Sequence, residues 1–232
     1  MDDTAAQLLF FAIVGVVAIA YYGIPARTKT VGIDLGTTFS LAAYMDPNTR
    51  SMHLVPSVSS VITYFPNKTH IVGYTQFRRK SPKNTIFEAK RFIGRTFEEV
   101  NRDLSVKKDG SHKYYPFKIV PLDNGKTIGF YIPAIDQVVD PIEVGLKIVK
   151  ELQRRVDLQL GHKMARNVVI ATPAEFTPLQ KEFTAQVFER AGYRVTATLD
   201  EPTAAAMAYG LHRQKNVNYV LVYDWGGGTL DI

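Results

Sequence analysis

The chain has 232 residues, 46% hydrophobic and 22% charged, the ordinary range for one or two globular domains. Its net charge of +6 comes from short scattered clusters such as Arg78-Arg79-Lys80, Lys107-Lys108 and Arg154-Arg155, without an aromatic-interleaved stripe, so no nucleic-acid partner is expected. The absence of cysteine excludes disulfides and thiolate metal sites, and the five histidines are dispersed without metal-ligand spacing.

Leu8 to Tyr22 is apolar or aromatic throughout, within an uncharged stretch from Thr4 to Ala26. That is long enough to cross a bilayer, which takes about 20 residues. Residues 1–28 therefore read as a signal peptide or a signal anchor. Ala18-Ile19-Ala20 offers a cleavage pattern, whereas Asp2 and Asp3 before the segment and Arg27 and Lys29 after it would leave the remainder in the cytosol.

From Lys29 to Met45 the pattern is strand, glycine turn, strand, with the turn at Asp34-Leu35-Gly36-Thr37-Thr38. Glycines there are expected to take positive φ and turn backbone N–H groups toward one small anion. Residues 54–75 alternate β-prone runs with turns, and Asn67-Lys68-Thr69, in one of those turns, is the only glycosylation sequon of the chain. Thr85 to Ile93 is helix-compatible. Residues 101–140 are turn-rich, with β-prone pieces near 117–121 and 127–132, so 54–135 reads as a peripheral subdomain.

Asp140-Pro141-Ile142-Glu143 has an N-cap, Pro at the first helical position and Glu at the third, and apolar residues then recur at helical spacing until Gly161. Val168 to Thr172 is a buried-type strand. Thr177-Pro178-Leu179-Gln180 repeats the capping signature for a helix ending near Gly192, a strand runs through Val195, and a helix opens at Glu201-Pro202 and stops at Gly210. Tyr219 to Tyr223 reads as a strand leading into a second glycine turn, Asp224-Trp225-Gly226-Gly227-Gly228-Thr229. Alternating strands and helices indicate an α/β layered sheet with crossovers. Two Asp-Gly-Thr turns suggest half-sites that close on the β- and γ-phosphates of a nucleotide.

Gly32 to Thr38, Asn84 to Arg95, Pro173-Ala174-Glu175-Phe176, Glu201 to Gly210 and Asp224 to Asp231 together resemble the heat shock 70 kDa family, in order and over nearly everything after residue 30. The resemblance implies an actin-like ATPase (ribonuclease H-like) fold, present as its first lobe plus the opening hairpin of the second. The apolar segment upstream, and Glu175 where most members carry Tyr, look most like the microsome-associated stress-70 branch, an ATPase domain without a peptide-binding domain. This implies an ATP-hydrolysing chaperone acting in the endoplasmic reticulum lumen or on microsomes, with the cytosol-facing arrangement as the alternative. J-domain co-chaperones and nucleotide exchange factors are the implied partners.

Carried over by position, the resemblance implies that Gly36, Thr37, Thr38, Phe39, Gly226, Gly227, Gly228 and Thr229 hold ATP or ADP. Asp34 and Asp224 would organise Mg2+ through its water shell, and Asp231 would contribute to a K+ site. Lys90 would position the attacking water and Glu201 would hold it, while Pro173 matches the family's switch proline. Three residues depart from the usual pattern: Phe39 in place of Tyr, Trp225 in place of Leu, and Lys181 in place of an arginine that couples to the interdomain linker. The family's adenosine-binding lobe lies beyond Ile232, so weak or absent turnover is expected of these residues alone, and the last strand is expected to present an apolar edge. A non-catalytic module of the same fold and a sugar-kinase-like phosphotransferase are the alternative readings.

Overall fold

The computed structural model describes residues 30–46, 49–161, 166–226 and 230–231, and only the backbone of Trp225, Leu230 and Asp231. The expected leader 1–28, Gly227, Gly228, Thr229 and Ile232 lie outside them. Among the described residues no helix is long and apolar enough to cross a membrane.

The fold is built on alternation. In β1 (Thr30–Asp34) Val31 and Ile33 turn inward, and in β10 (Asn167–Thr172) Val168, Ile170 and Thr172 do the same. Those two strands pair in parallel, with Ile33 opposite Ile170. β2 (Phe39–Met45) runs antiparallel to β1, β3 (Met52–Ser59) antiparallel to β2, and β11 (Arg194–Asp200) parallel to β10, giving a five-stranded sheet of order β11-β10-β1-β2-β3. Parallel neighbours need crossovers, and the β10-to-β11 crossover is a helix.

Two helices cover one face. The helix α2 (Pro141–Leu160) starts where Asp140 accepts a hydrogen bond from the Glu143 N–H at 2.6 Å and ends at Gly161 with φ +71°. Its inner stripe is Val144, Ile148, Val149, Leu152 and Val156. At Gly145 a Cβ would stand 3.2 Å from both methyls of Val187, so glycine lets α2 lie close to α3 (Pro178–Arg190). The opposite face of β2 and β3 leaves Phe39, Leu41, Met45, Met52 and Leu54 exposed.

Smaller sheets lie beside this layer. β4 (Val61–Tyr64) pairs with β5 (His70–Val72) and β6 (Thr85–Phe87). β7 (Lys118–Leu122), β8 (Thr127–Ile132) and β9 (Gln137–Val139) form an antiparallel meander. Phe87, Phe92, Tyr115, Phe117 and Phe130 knit the two with ring centroids 5.1–5.5 Å apart, in geometries aromatic pairs favour. A short helix, α1 (Phe97–Leu104), starts at a Thr96/Glu99 capping box, a three-residue signature present in the sequence.

Three expectations are corrected. The peripheral unit does not begin at residue 54, because Leu54 to Ser59 hydrogen-bond to β2 as the outer strand of the main sheet. Thr85 to Ile93 is not one helix: Thr85–Phe87 is drawn into strand pairing with β4, and a single 3-10 turn, Ala89–Phe92, follows Glu88 at φ +57°. Tyr219 to Tyr223 is not a strand; it finds no partner among the described residues, and Tyr219 and Leu221 are 96% and 80% exposed.

Candidate functional site

The first turn leaves β1 at Asp34 and returns into β2 at Phe39. Gly36 is required there by close approach rather than by positive φ, which corrects the expectation: a Cβ at Gly36 would run into the backbone carbonyl of Phe39. Ser60 braces the turn from behind. Its hydroxyl donates to the Gly36 carbonyl at 2.7 Å and lies 2.8 Å from the Ser40 hydroxyl, and its N–H donates to the Thr38 carbonyl at 2.8 Å. Ser40 and Ser60 are buried. Nothing in the sequence marks them apart from the many serines of ordinary turns.

Lys90 is delivered by the 3-10 turn Ala89–Phe92, and its side chain is 7% exposed. A buried ammonium needs a partner. Its Nζ donates to Glu201 Oε1 at 2.6 Å, lies 4.0 Å from Asp34 Oδ1, and stands 5.9 Å from the centroid of the Phe176 ring. Glu201 reaches this point because it opens α4 (Glu201–Ala208), with Pro202 fixing the helix start. The helix stops before Gly210 at φ +70°.

The electrostatics follow from this packing. Burial pushes the Asp34 carboxyl above its ordinary value, Lys90 pulls it back, and Asp224 pushes it up. Glu201 is raised in the same way, by burial first, against the opposing pull of Lys90, with smaller upward pushes from Asp34 and Asp224. Asp34 Oδ1 is buried without a hydrogen-bond partner among the described residues. Glu201 and Asp34 thus share one ammonium, with Asp224 a further like charge beside them, an arrangement that favours a further cation or a hydrogen-bond donor. A ready-made metal cage of three His, Asp or Glu ligands does not occur among the described residues.

These groups share one hollow of about 460 Å³. It is lined by Asp34, Gly36, Thr37, Thr38 and Phe39 of the first turn, by Asp224 and Gly226 of the second, and by Lys90 and Glu201. Pro173, Glu175 and Phe176 complete the wall, with Arg91, Arg95 and Gln180. Asp34, Gly36, Thr37, Thr38 and Phe39 therefore meet Lys90, Glu201 and the start of the second turn in a single cavity, while Leu35 is buried in the core. The calls on Gly227, Gly228 and Thr229 fall outside the described residues. Of Asp231 only the backbone is placed, paired with Asp224 across β12 (Asp224–Trp225) and β13 (Leu230–Asp231). Arg91, Arg95 and Gln180 were missed; only the folding of the 3-10 turn against the start of α3 brings them in. Lys181 ion-pairs at 2.7 Å with Asp200, the residue before Glu201, and so braces the entry to α4.

With this geometry in hand, known proteins place the chain. The family model described as Hsp70 protein matches residues 30–232. Heat shock 70 kDa protein 13 of Homo sapiens is 35% identical over 241 aligned residues, covering 100% of this chain and 49% of that protein. The Mus musculus protein of the same name is 36% identical over the same shares. Chaperone protein DnaK of Thermus thermophilus is 38% identical over 213 residues, covering 88% of this chain and 32% of its own length. The chain thus spans about half the length, or less, of these curated relatives.

Proposed function

This chain belongs to the Hsp70 protein family, and on that premise we propose that its hollow grips the phosphate tail of ATP or ADP and supports hydrolysis of ATP in the service of protein folding. The observation that carries the proposal is the buried Lys90–Glu201–Asp34 cluster set between two Asp-X-Gly turns. Phosphoryl transfer asks a protein for positioning and electrostatic stabilisation more than for covalent chemistry. In this reading a water attacks the γ-phosphorus while the bond to the β-phosphate oxygen breaks and ADP leaves. Glu201 accepts a hydrogen bond from that water, and the Lys90 ammonium stabilises charge on the transferring group. The backbone N–H groups and hydroxyls of Gly36, Thr37 and Thr38 face the phosphates, joined from the other side by Gly226 and, in the proposal, by Gly227, Gly228 and Thr229.

The residues fit a hydrated Mg2+. Asp34 Oδ1, buried without a hydrogen-bond partner among the described residues, and the neighbouring Asp224 are acceptors suited to its water shell. When bound, the ion neutralises charge on the phosphates. A K+ near Asp231 is part of the same proposal.

J-domain co-chaperones and nucleotide exchange factors are proposed as partners on family grounds. Residues 30–232 line the phosphate end of such a site, and we propose that alone they turn ATP over slowly or not at all, because affinity comes from burying the whole ligand. Calorimetry with Mg-ATP tests the reading: binding is expected that Asp34→Asn weakens and Lys90→Ala spares, whereas no heat at millimolar nucleotide would sink it.

We further propose that the chain is directed to the endoplasmic reticulum, with residues 30–232 in the lumen. Support comes from the apolar run Leu8–Tyr22 and from the resemblance to the microsome-associated branch carried by that run and Glu175. Protease treatment of sealed microsomes is the test; complete digestion of residues 30–232 would place them in the cytosol.

A further inference from the structure

The hairpin between β4 and β5 has no part in the hollow: none of residues 65–70 lines it. Its tip is Pro66-Asn67-Lys68-Thr69-His70, all exposed. The backbone closes with the Phe65 N–H donating to the Thr69 carbonyl at 3.0 Å and the Lys68 N–H to the Phe65 carbonyl at 2.9 Å, and Lys68 takes φ +62°. Within this loop Asn67 Oδ1 accepts two hydrogen bonds, from the Thr69 N–H at 3.1 Å and from the Thr69 hydroxyl at 2.6 Å. The carboxamide oxygen is thus held against the chain, and Nδ2 faces water without a partner among the described residues.

We propose that Asn67 is an N-glycosylation site, a surface modification separate from nucleotide chemistry. This rests on the lumenal placement proposed above. An Asn-X-Thr triplet is a hypothesis until its context is known, and the context here is the required one: an exposed turn whose Thr hydroxyl already bonds the Asn side chain. That hydrogen bond draws electron density toward Oδ1 and sets Nδ2 outward. The co-substrate is a lipid pyrophosphate-linked oligosaccharide. Nδ2 forms a bond to C1 of its first sugar while the C1–O bond to pyrophosphate breaks; the lipid pyrophosphate leaves with the electron pair, and Nδ2 gives up one proton. Because the tip lies off the hollow, the glycan leaves nucleotide access open. Asn67-Lys68-Thr69 is the single such triplet in the chain, so any shift has one possible origin.

Translation of the full chain with sealed microsomes tests this. One slower-migrating, protease-protected band is expected that endoglycosidase collapses. It should vanish in Asn67→Gln and Thr69→Ala and persist in Thr69→Ser, which keeps the hydroxyl. The Thr69→Ser arm guards against loss through misfolding. A protected chain without the slower band, or a band that survives Asn67→Gln, overturns the modification and leaves the lumenal placement standing. A digested chain without the band overturns both.

Discussion

Lys90 is where one residue decides most. Its side chain is 7% exposed, Glu201 17% and Asp34 37%, so removing the charge leaves two partly buried carboxylates without their shared cation. Breaking such a pair from one side costs on the order of 3 kcal/mol when it is well buried. Lys90→Met is therefore expected to lower stability by about that amount at neutral pH. The sign with pH follows from the raised carboxyls. A folded-state value above the unfolded one favours the fold at low pH, and that contribution is lost as pH rises through the raised value. Without Lys90 the one opposing pull is gone. The deficit should thus be smallest below pH about 4, where both states are protonated, and should widen toward neutrality. Urea titrations at several pH values check this; a deficit constant with pH would contradict it. Gly36 acts by shape. Gly36→Ala drives a methyl into the Phe39 carbonyl, and overpacking of this kind costs about 1–3 kcal/mol. Its nucleotide affinity, read by calorimetry, should fall more than that of Gly192→Ala, a glycine with open space around it. Locally, Lys90 could not be told from a solvated helix face. Only the family resemblance implies a role for it, and the structure adds its contact with a glutamate 111 residues further on.

At the scale of elements, what could be read was what the chain settles with its near neighbours. The caps at Asp140 and Thr177 are three-residue hydrogen-bond patterns, and both helices start where those patterns say. Thr177→Ala should cost about 1 kcal/mol of stability, read as a lower urea midpoint at unchanged slope, with nucleotide binding little changed; a null effect would show that the capping box is not holding α3. Strand pairing is settled by distant partners, and there the reading failed. Thr85–Phe87 became a strand because β4 lies beside it, and Tyr219–Tyr223 did not become one for want of a partner among the described residues. The edge strand β3 has no second strand partner among the described residues, its Leu54, Pro56 and Ser57 carbonyls taking hydrogen bonds from the Gln159 and Arg155 side chains. It also carries an apolar face, with Met52 and Leu54 at 67% and 66% exposed beside Met45 at 53%. Pro56 removes one donor from that edge, a usual device against edge pairing, but nothing in β3 guards the face. A patch of this kind predicts self-association of residues 30–232 at high concentration. Sedimentation velocity should show it, and Met52→Lys with Leu54→Lys should suppress it; unchanged association would move the cause elsewhere.

For the molecule as a whole, the hollow depends on bringing together turns from opposite ends of the described chain. The first is fixed by β1, locked between β2 and β10 at the centre of the sheet and braced by Ser60. The second follows a largely exposed segment without a strand partner among the described residues, and its flanks pair briefly as β12–β13. A polyphosphate seated between them satisfies donors on both sides, so its binding free energy must appear as lost opening at both places, and more at Asp224 to Gly226, where the described pairing is only two residues long. Amide hydrogen exchange with and without saturating Mg-ATP reads this directly. Slowing is expected at Gly36 to Thr38 and, by a larger factor, at Trp225 and Gly226, while α2 amides, already protected by core packing, should hardly change. The same exchange in Lys90→Ala should keep the pattern if the lysine serves turnover rather than grip. Protection confined to the first turn would mean that the two halves do not close on one ligand, and the nucleotide reading would lose its geometric basis even if some heat of binding were measured.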